Sequence, residues 1–233
     1  PLGLLDYILR GFDPEGERDL VFIPVGINYD RTLEDRTLQR DLEPGAGGVG
    51  RFRAAATTAR FVVRNLVLML RNRWYRFGYA CVNFGSPISL REYMAERAPD
   101  LASLGREQRF GRVATLAGEL MRAVGAVIPV LPVPLVATVF VECAGEAIGE
   151  LELKARVQAS ILELEAAGAR VYLPRRDLDY AITVGLRALT LRRFVVRRDG
   201  LYTAREAEMA MLRYYANSIE HLRVTTAPEP VGV

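Results

Sequence analysis

The residues best suited to chemistry in this sequence are few. The chain holds one histidine, His221, in the run Tyr214-Tyr215-Ala216-Asn217-Ser218-Ile219-Glu220-His221. A histidine acting as general base needs a partner that orients it, and no Ser–His–Asp triad can be argued from this position. Near the end of a helix a basic ring is also favoured by the helix dipole, so His221 reads as structural. Cys81 and Cys143 are far apart and sit among apolar neighbours. They read as packing residues, and one histidine with two distant thiols does not make a metal site.

Acidic and basic side chains gather after residue 29: Asp30, Arg31, Glu34, Asp35 and Arg36. Acids in such a polar loop are expected to be solvated. The two arginines either hold a phosphate through their planar forks or pair with those acids.

These groups need an element to position them, and the preceding residues supply one. Residues 20–28 form a near-continuous apolar run with β-branched members, the pattern of a strand buried on both faces of a parallel sheet. It ends in Asn28-Tyr29-Asp30-Arg31, which brings polar groups to the carboxyl edge of a sheet, where α/β folds bind ligands. Pro24 lacks an N–H and belongs at an edge or bulge, which predicts a bend there. An ordinary edge strand is the other reading of this segment.

Around this strand the chain alternates helical and extended patterns. A helix is expected over residues 2–10, a mobile loop over 32–50 and a long helix over 54–75. A strand follows at Tyr79-Ala80-Cys81-Val82-Asn83-Phe84, and Ser89-Leu90-Arg91-Glu92 opens a helix as a capping box. The glycines in Pro44-Gly45-Ala46-Gly47-Gly48-Val49-Gly50 do not match a nucleotide loop. After a break over residues 96–105, helices are expected at 106–127, 150–167 and 176–191. Arg170 to Leu173 reads as a short strand and Arg192 to Tyr202 as a hairpin turning at Asp199-Gly200. A last helix spans 203–222, with Thr203 and Glu206 as its capping box. Between Val124 and Val141 only Thr138 is polar, nearly the length of a membrane span. Pro129, Pro132 and Pro134 interrupt it, so it reads as a loop and a buried helix starting near Pro134.

The 233 residues are half hydrophobic and a quarter charged, with net charge +3. That composition excludes disorder and fits one large domain or two small ones. The basic residues are arginines apart from Lys154. They are spread through the chain with no nucleic-acid-binding motif, so a nucleic-acid partner is not expected.

Three segments carry a family resemblance. Phe22-Ile23-Pro24-Val25-Gly26-Ile27-Asn28-Tyr29-Asp30-Arg31 resembles the fourth conserved block of the glycerol-3-phosphate acyltransferases, in the form nearest the bacterial and mitochondrial membrane enzymes. Gly85-Ser86-Pro87-Ile88-Ser89-Leu90-Arg91-Glu92-Tyr93 is similar to the segment that follows it there, and Tyr214-Tyr215-Ala216-Asn217-Ser218 to the C-terminal helix.

The resemblance implies an α/β architecture: the end of a layered acyltransferase sheet domain over residues 1–97, then a mostly helical α/β C-terminal domain over 98–233. It implies transfer of a fatty acyl group from acyl-CoA or acyl carrier protein to glycerol 3-phosphate in phospholipid biosynthesis. No cofactor or metal is implied. Dihydroxyacetone phosphate is an alternative acceptor, and a non-catalytic module binding an acyl chain, membrane or partner is an alternative role. Pro24, Asn28, Tyr29 and Arg31 are the expected substrate-binding residues. The family's His-x-x-x-x-Asp base motif and its Glu-Gly-x-Arg-Ser-Arg phosphate motif are absent: Thr226 stands five residues after His221, and Glu15-Gly16 leads to Glu17-Arg18-Asp19. Both are expected upstream of Pro1, so the expectation is a C-terminal fragment that is inactive alone. The amphiphilic substrates imply a peripheral or monotopic place on the cytoplasmic face of the cell membrane. Arg60, Arg64, Arg71 and Arg73 either meet anionic lipid or form a solvated face.

Overall fold

The structure is a computed structural model that describes residues 2–32, 35, 78–97, 104–143 and 145–224. Its architecture is mixed α/β, with helices dominating the second half. The 54–75 helix with its four arginines, the glycine cluster at 44–50 and Arg36 lie outside the described residues.

Helix α1 (Gly3–Arg10) leads through a turn into β1 (Val21–Phe22) and β2 (Val25–Tyr29). β3 (Ala80–Phe84) and β4 (Ile88–Ser89) return alongside them. The expected bend is present at Pro24: Ile23 and Pro24 separate the two strands, and Pro24 accepts a hydrogen bond from the Gly85 amide at 2.8 Å. β1 pairs antiparallel with β4 (Phe22 opposite Ile88), and β2 antiparallel with β3 (Val25 opposite Phe84). Two residues on one side thus face three on the other, a bulge placed where proline has no N–H to give.

The expectation of a parallel strand buried on both faces is corrected here. Among the described residues β2 pairs only with β3, and its faces differ. Val25, Ile27 and Tyr29 point outward beside Val82 and Phe84, at 36–62% exposure. Gly26 and Asn28 point inward. The inner face is small and polar because a backbone crosses it: a Cβ on Gly26 would stand 2.5 Å from the Val127 carbonyl oxygen.

Helix α2 (Leu90–Arg97) starts as expected, with Ser89 Oγ accepting from the Glu92 amide at 3.1 Å. The same hydroxyl donates to Asp19 Oδ2 at 2.6 Å. Helix α3 (Arg106–Ala126) packs on α1, and buried Asp6 accepts from Arg109 at 2.9 Å and Arg10 at 2.7 Å. Leu9, Leu90, Met94, Val113 and Leu116 form the small core shared by α1, α2 and α3.

The larger core lies in the second half, around α4 (Pro132–Glu142). The apolar run folds as a loop and a buried helix, as its prolines predict, and Pro132 fills the first turn where a missing N–H costs nothing. Residues 132–140 are all buried, since α5 (Glu150–Ala166), α6 (Leu178–Leu191) and α7 (Met209–Val224) enclose the helix. Gly185 lets α6 approach closely: a Cβ there would lie 2.6 Å from the Pro132 carbonyl oxygen. Among the described residues no helix is long and apolar enough to cross a membrane.

Three local expectations change. Arg170–Leu173 is not a strand but a single parallel bridge, Val171 to Val130. The helix expected from residue 176 begins at Leu178, capped by Asp177, which accepts from the Tyr180 amide at 3.0 Å. Thr203 is not a helix cap: it lies in β6 (Leu201–Ala204), which pairs with β5 (Val195–Arg198) through the expected Asp199-Gly200 turn. Both turn residues have positive φ, 51° and 83°, as a type I′ turn requires. Continuing the ladder held Thr203 in the strand, and a 3-10 turn at Glu206–Glu208 leads into α7.

Candidate functional site

The end of β2 is where the polar groups collect. Among the described residues six polar or charged side chains are buried, and Asn28, Asp30 and Asp35 are three of them. The expectation of solvated acids is therefore corrected for Asp30 and Asp35; Glu34 lies outside the described residues. Each of the three reaches into the C-terminal half.

Asn28 Nδ2 donates to the Pro129 carbonyl at 2.9 Å and meets Ser218 Oγ of α7 at 3.4 Å. Its own Oδ1 accepts from the Tyr29 amide at 2.8 Å. Asp30 Oδ1 accepts from the Val133 amide at 2.8 Å and Oδ2 from the Tyr79 amide at 3.0 Å. Helix α4 opens at Leu131-Pro132, with no side-chain oxygen of its own to cap it. Asp30 supplies that cap from the other half of the chain. Gly78, with φ at 71°, lies so close under Asp30 that a Cβ would collide with its side chain. Burial lifts the Asp30 carboxyl to about 6, against the lowering effect of the two amides.

Asp35 pairs with Arg192 Nη1 at 2.6 Å. That same nitrogen donates to the Tyr215 hydroxyl at 2.7 Å, and the hydroxyl donates to Asp35 in a short bond. The Arg192 guanidinium also lies over the Phe194 ring, 4.3 Å from its centre. Arg192 closes the C-terminus of α6, where a cation is favoured. Burial pushes the Tyr215 hydroxyl well above its ordinary range.

The four expected substrate residues do not converge on one point. Pro24 sits in the break between β1 and β2. Asn28 is turned inward and Tyr29 outward, as alternation along a strand requires. Arg31 is half-buried beyond the strand end, beside a cavity of about 10 Å³ shared with Asp30, Val133 and Arg192. That is room for about one water, not for a substrate. A larger open cleft of about 600 Å³ is lined in part by Phe12, Asp13, Glu17, Arg18 and Asp19. Three carboxylates against one guanidinium do not favour a phosphate there.

Other reactive groups are occupied or muted. His221 Nε2 lies 3.0 Å from the Gly125 carbonyl, joining α7 to α3 as a structural residue. Burial raises both thiols, with Asp30 adding to the rise at Cys81, so neither is a poised nucleophile. Among the described residues no group of three or more metal-ligating side chains comes together.

Sequence reasoning missed Arg192 and Tyr215 as partners. One signal pointed to Tyr215: it stands in the Tyr214–Ser218 motif, on the same helix as Ser218. The uncapped start of α4 was the corresponding signal for Asp30.

Comparison with known proteins supplies the kinship. The sequence model described as the glycerol-3-phosphate acyltransferase C-terminal region matches residues 64–227. The chain belongs to this family. Proteins named glycerol-3-phosphate acyltransferase from Pseudomonas paraeruginosa and Pseudomonas aeruginosa strain UCBPP-PA14 are 28% identical over 94% of the chain and 26% of their own length. One from Pseudomonas syringae is 34% identical over 42% of the chain and 10% of its own. The chain thus spans about a quarter of the length of the curated relatives it matches most fully. The family match takes in α2 through α7 and both partners of Asp35, Arg192 and Tyr215.

Proposed function

We propose that the chain forms the C-terminal part of a glycerol-3-phosphate 1-O-acyltransferase, which moves a fatty acyl group from acyl-CoA or acyl carrier protein to the sn-1 hydroxyl of glycerol 3-phosphate. The observation that carries this reading is the family match over residues 64–227, backed by relatives of that name along most of the chain. The product, lysophosphatidic acid, places the reaction at the start of phospholipid biosynthesis.

Acyl transfer of this kind needs a base to take the hydroxyl proton as the oxygen attacks the thioester carbon. His221, the one histidine here, is engaged with Gly125 among the C-terminal helices. In this reading the base belongs to a His-x-x-x-x-Asp motif outside these residues. Residues 1–97 complete the acyltransferase domain, and 98–233 form the C-terminal domain that braces it. The exposed outer face of β2 and β3 supports this, since the pairs Val25–Phe84 and Ile27–Val82, with Tyr29 opposite Ala80, suit a sheet covered within a larger domain. Pro24, Asn28, Tyr29 and Arg31 form a wall of the substrate site. Tyr29 and Arg31 offer their side chains, and Pro24 and Asn28 set the strand that presents them. The amphiphilic donor and product favour a peripheral or monotopic position on the cytoplasmic membrane face.

The test is product formation by the intact gene product. Membranes from cells expressing it are given radiolabelled glycerol 3-phosphate with palmitoyl-CoA or palmitoyl-acyl carrier protein. Labelled lysophosphatidic acid above the vector control is expected. Abundant, folded protein that forms none with either donor would overturn the proposal.

A further inference from the structure

The Asp35 cluster joins elements that are remote in sequence, and in the chain Arg31 stands between two anchored acids, Asp30 and Asp35. On one side of Arg31, Asp30 is fixed to the Val133 and Tyr79 amides at 2.8 and 3.0 Å. On the other, buried Asp35 is fixed to Arg192 at 2.6 Å and to the Tyr215 hydroxyl. Arg192 follows the last residue of α6 and Tyr215 lies in α7, and the packing of these two helices against α4 makes much of the large core. Arg192 is itself held by three contacts: the carboxylate, the hydroxyl and the Phe194 ring. A charge buried this completely is held in place only by its partners. The backbone around Arg31 is therefore held on one side by the β2–β3 ladder, through Asp30 and Tyr79, and on both sides by the C-terminal half, through Val133, Arg192 and Tyr215.

We propose that Asp35, clasped by Arg192 and Tyr215, is a positioning residue for Arg31, through which the C-terminal helical domain tunes binding of the phosphorylated acceptor without touching it. This rests on the reading of Arg31 as a substrate-binding residue. The clasp acts by restricting where the guanidinium of Arg31 can go, so that it meets the acceptor phosphate without first being ordered. No bond is made or broken by the clasp itself.

The experiment uses the intact protein and two independent readouts. The first is acyl-transfer kinetics of Asp35→Asn, Tyr215→Phe and Arg31→Ala, with the double variant Asp35→Asn/Arg31→Ala. Tyr215→Phe keeps the ring and the Asp35–Arg192 pair, so it tests the clasp by a milder change than Asp35→Asn. KM for glycerol 3-phosphate is expected to rise about tenfold in Asp35→Asn and about threefold in Tyr215→Phe, with kcat within about twofold. The double variant is expected to be no worse than Arg31→Ala alone, because both act through one guanidinium. Unchanged KM in folded Tyr215→Phe, or additive effects in the double variant, would overturn the proposal.

The second readout is amide hydrogen exchange over residues 28–32, which needs no activity. Faster exchange in Tyr215→Phe is expected, and unchanged exchange overturns the clasp. A wild-type protein with no acyl transfer but with Tyr215-dependent exchange would sink the functional reading while leaving the clasp standing.

Discussion

Asp30 and Val133 stand 103 residues apart and are joined by one hydrogen bond, from the Val133 amide to Asp30 Oδ1 at 2.8 Å. This bond caps the central helix of the C-terminal half with a side chain from the end of β2. The segment at the end of β2 is thereby the one that ties the two halves of the chain together.

The bond has a pH signature. Asp30 ionises near 6 in the folded chain because burial disfavours its charge, against 3.8 ordinarily. The raised value means that the folded state holds the proton more tightly than the unfolded state. Its contribution is present below the ordinary value and is lost as pH rises through about 6. At roughly 1.4 kcal/mol per unit the loss is on the order of 2–3 kcal/mol. Urea unfolding of the wild type and Asp30→Asn at about pH 4, 5 and 7 reads it, since Asn does not titrate. The wild type's advantage over the variant is expected to shrink across this window. A constant or growing advantage contradicts the assignment.

Gly26 and Gly118 should respond to alanine with opposite signs. The Cβ on Gly26 would meet the Val127 carbonyl oxygen at 2.5 Å, so the sheet must move off the α3–α4 loop. Gly118 lies on the exposed side of α3 with nothing within 4 Å. Gly26→Ala is expected to cost about 1–3 kcal/mol, and Gly118→Ala to stabilise by about 0.4–1 kcal/mol. Thermal melting of the two variants measures both. A neutral Gly26→Ala would show that the close approach is not real.

Ser89 caps α2 and also bonds to Asp19. Ser89→Ala should lower stability by about 0.5–2 kcal/mol, the range for losing an N-cap, while Ser86→Ala provides a surface comparison. Chemical denaturation distinguishes them; equal midpoints would mean that the cap contributes nothing.

His221 should prove dispensable for chemistry. Its ring serves the Gly125 carbonyl. In the intact protein His221→Gln is expected to keep kcat within about twofold, whereas removing a general base costs about 10²–10⁴-fold. A loss of that size would place His221 in the catalytic machinery.

The sequence carried the regular elements well, because each has a local cause. The prolines at 129, 132 and 134 set the start of α4, Asp199-Gly200 set the hairpin, and Ser89 with Glu92 set α2. Where it failed, the cause was long-range. Continuous apolar character in 20–28 cannot tell a strand buried on both faces from one with a polar inner face. The deciding contact, Gly26 against Val127, lies a hundred residues away in the chain. The same is true of Asp35, whose partners Arg192 and Tyr215 come together only when α6 and α7 pack. Thr203 and Glu206 had a capping pattern, but pairing with Val196 outweighed it.

The most direct test of the acyltransferase account is the KM for glycerol 3-phosphate of the intact protein and its Arg31→Ala variant, with dihydroxyacetone phosphate assayed in parallel. The account predicts acyl transfer to glycerol 3-phosphate, and a KM about tenfold higher in the variant at unchanged melting temperature, the scale of one charge-assisted hydrogen bond. A folded variant with the wild-type KM, or a wild type that acylates neither acceptor, would contradict it.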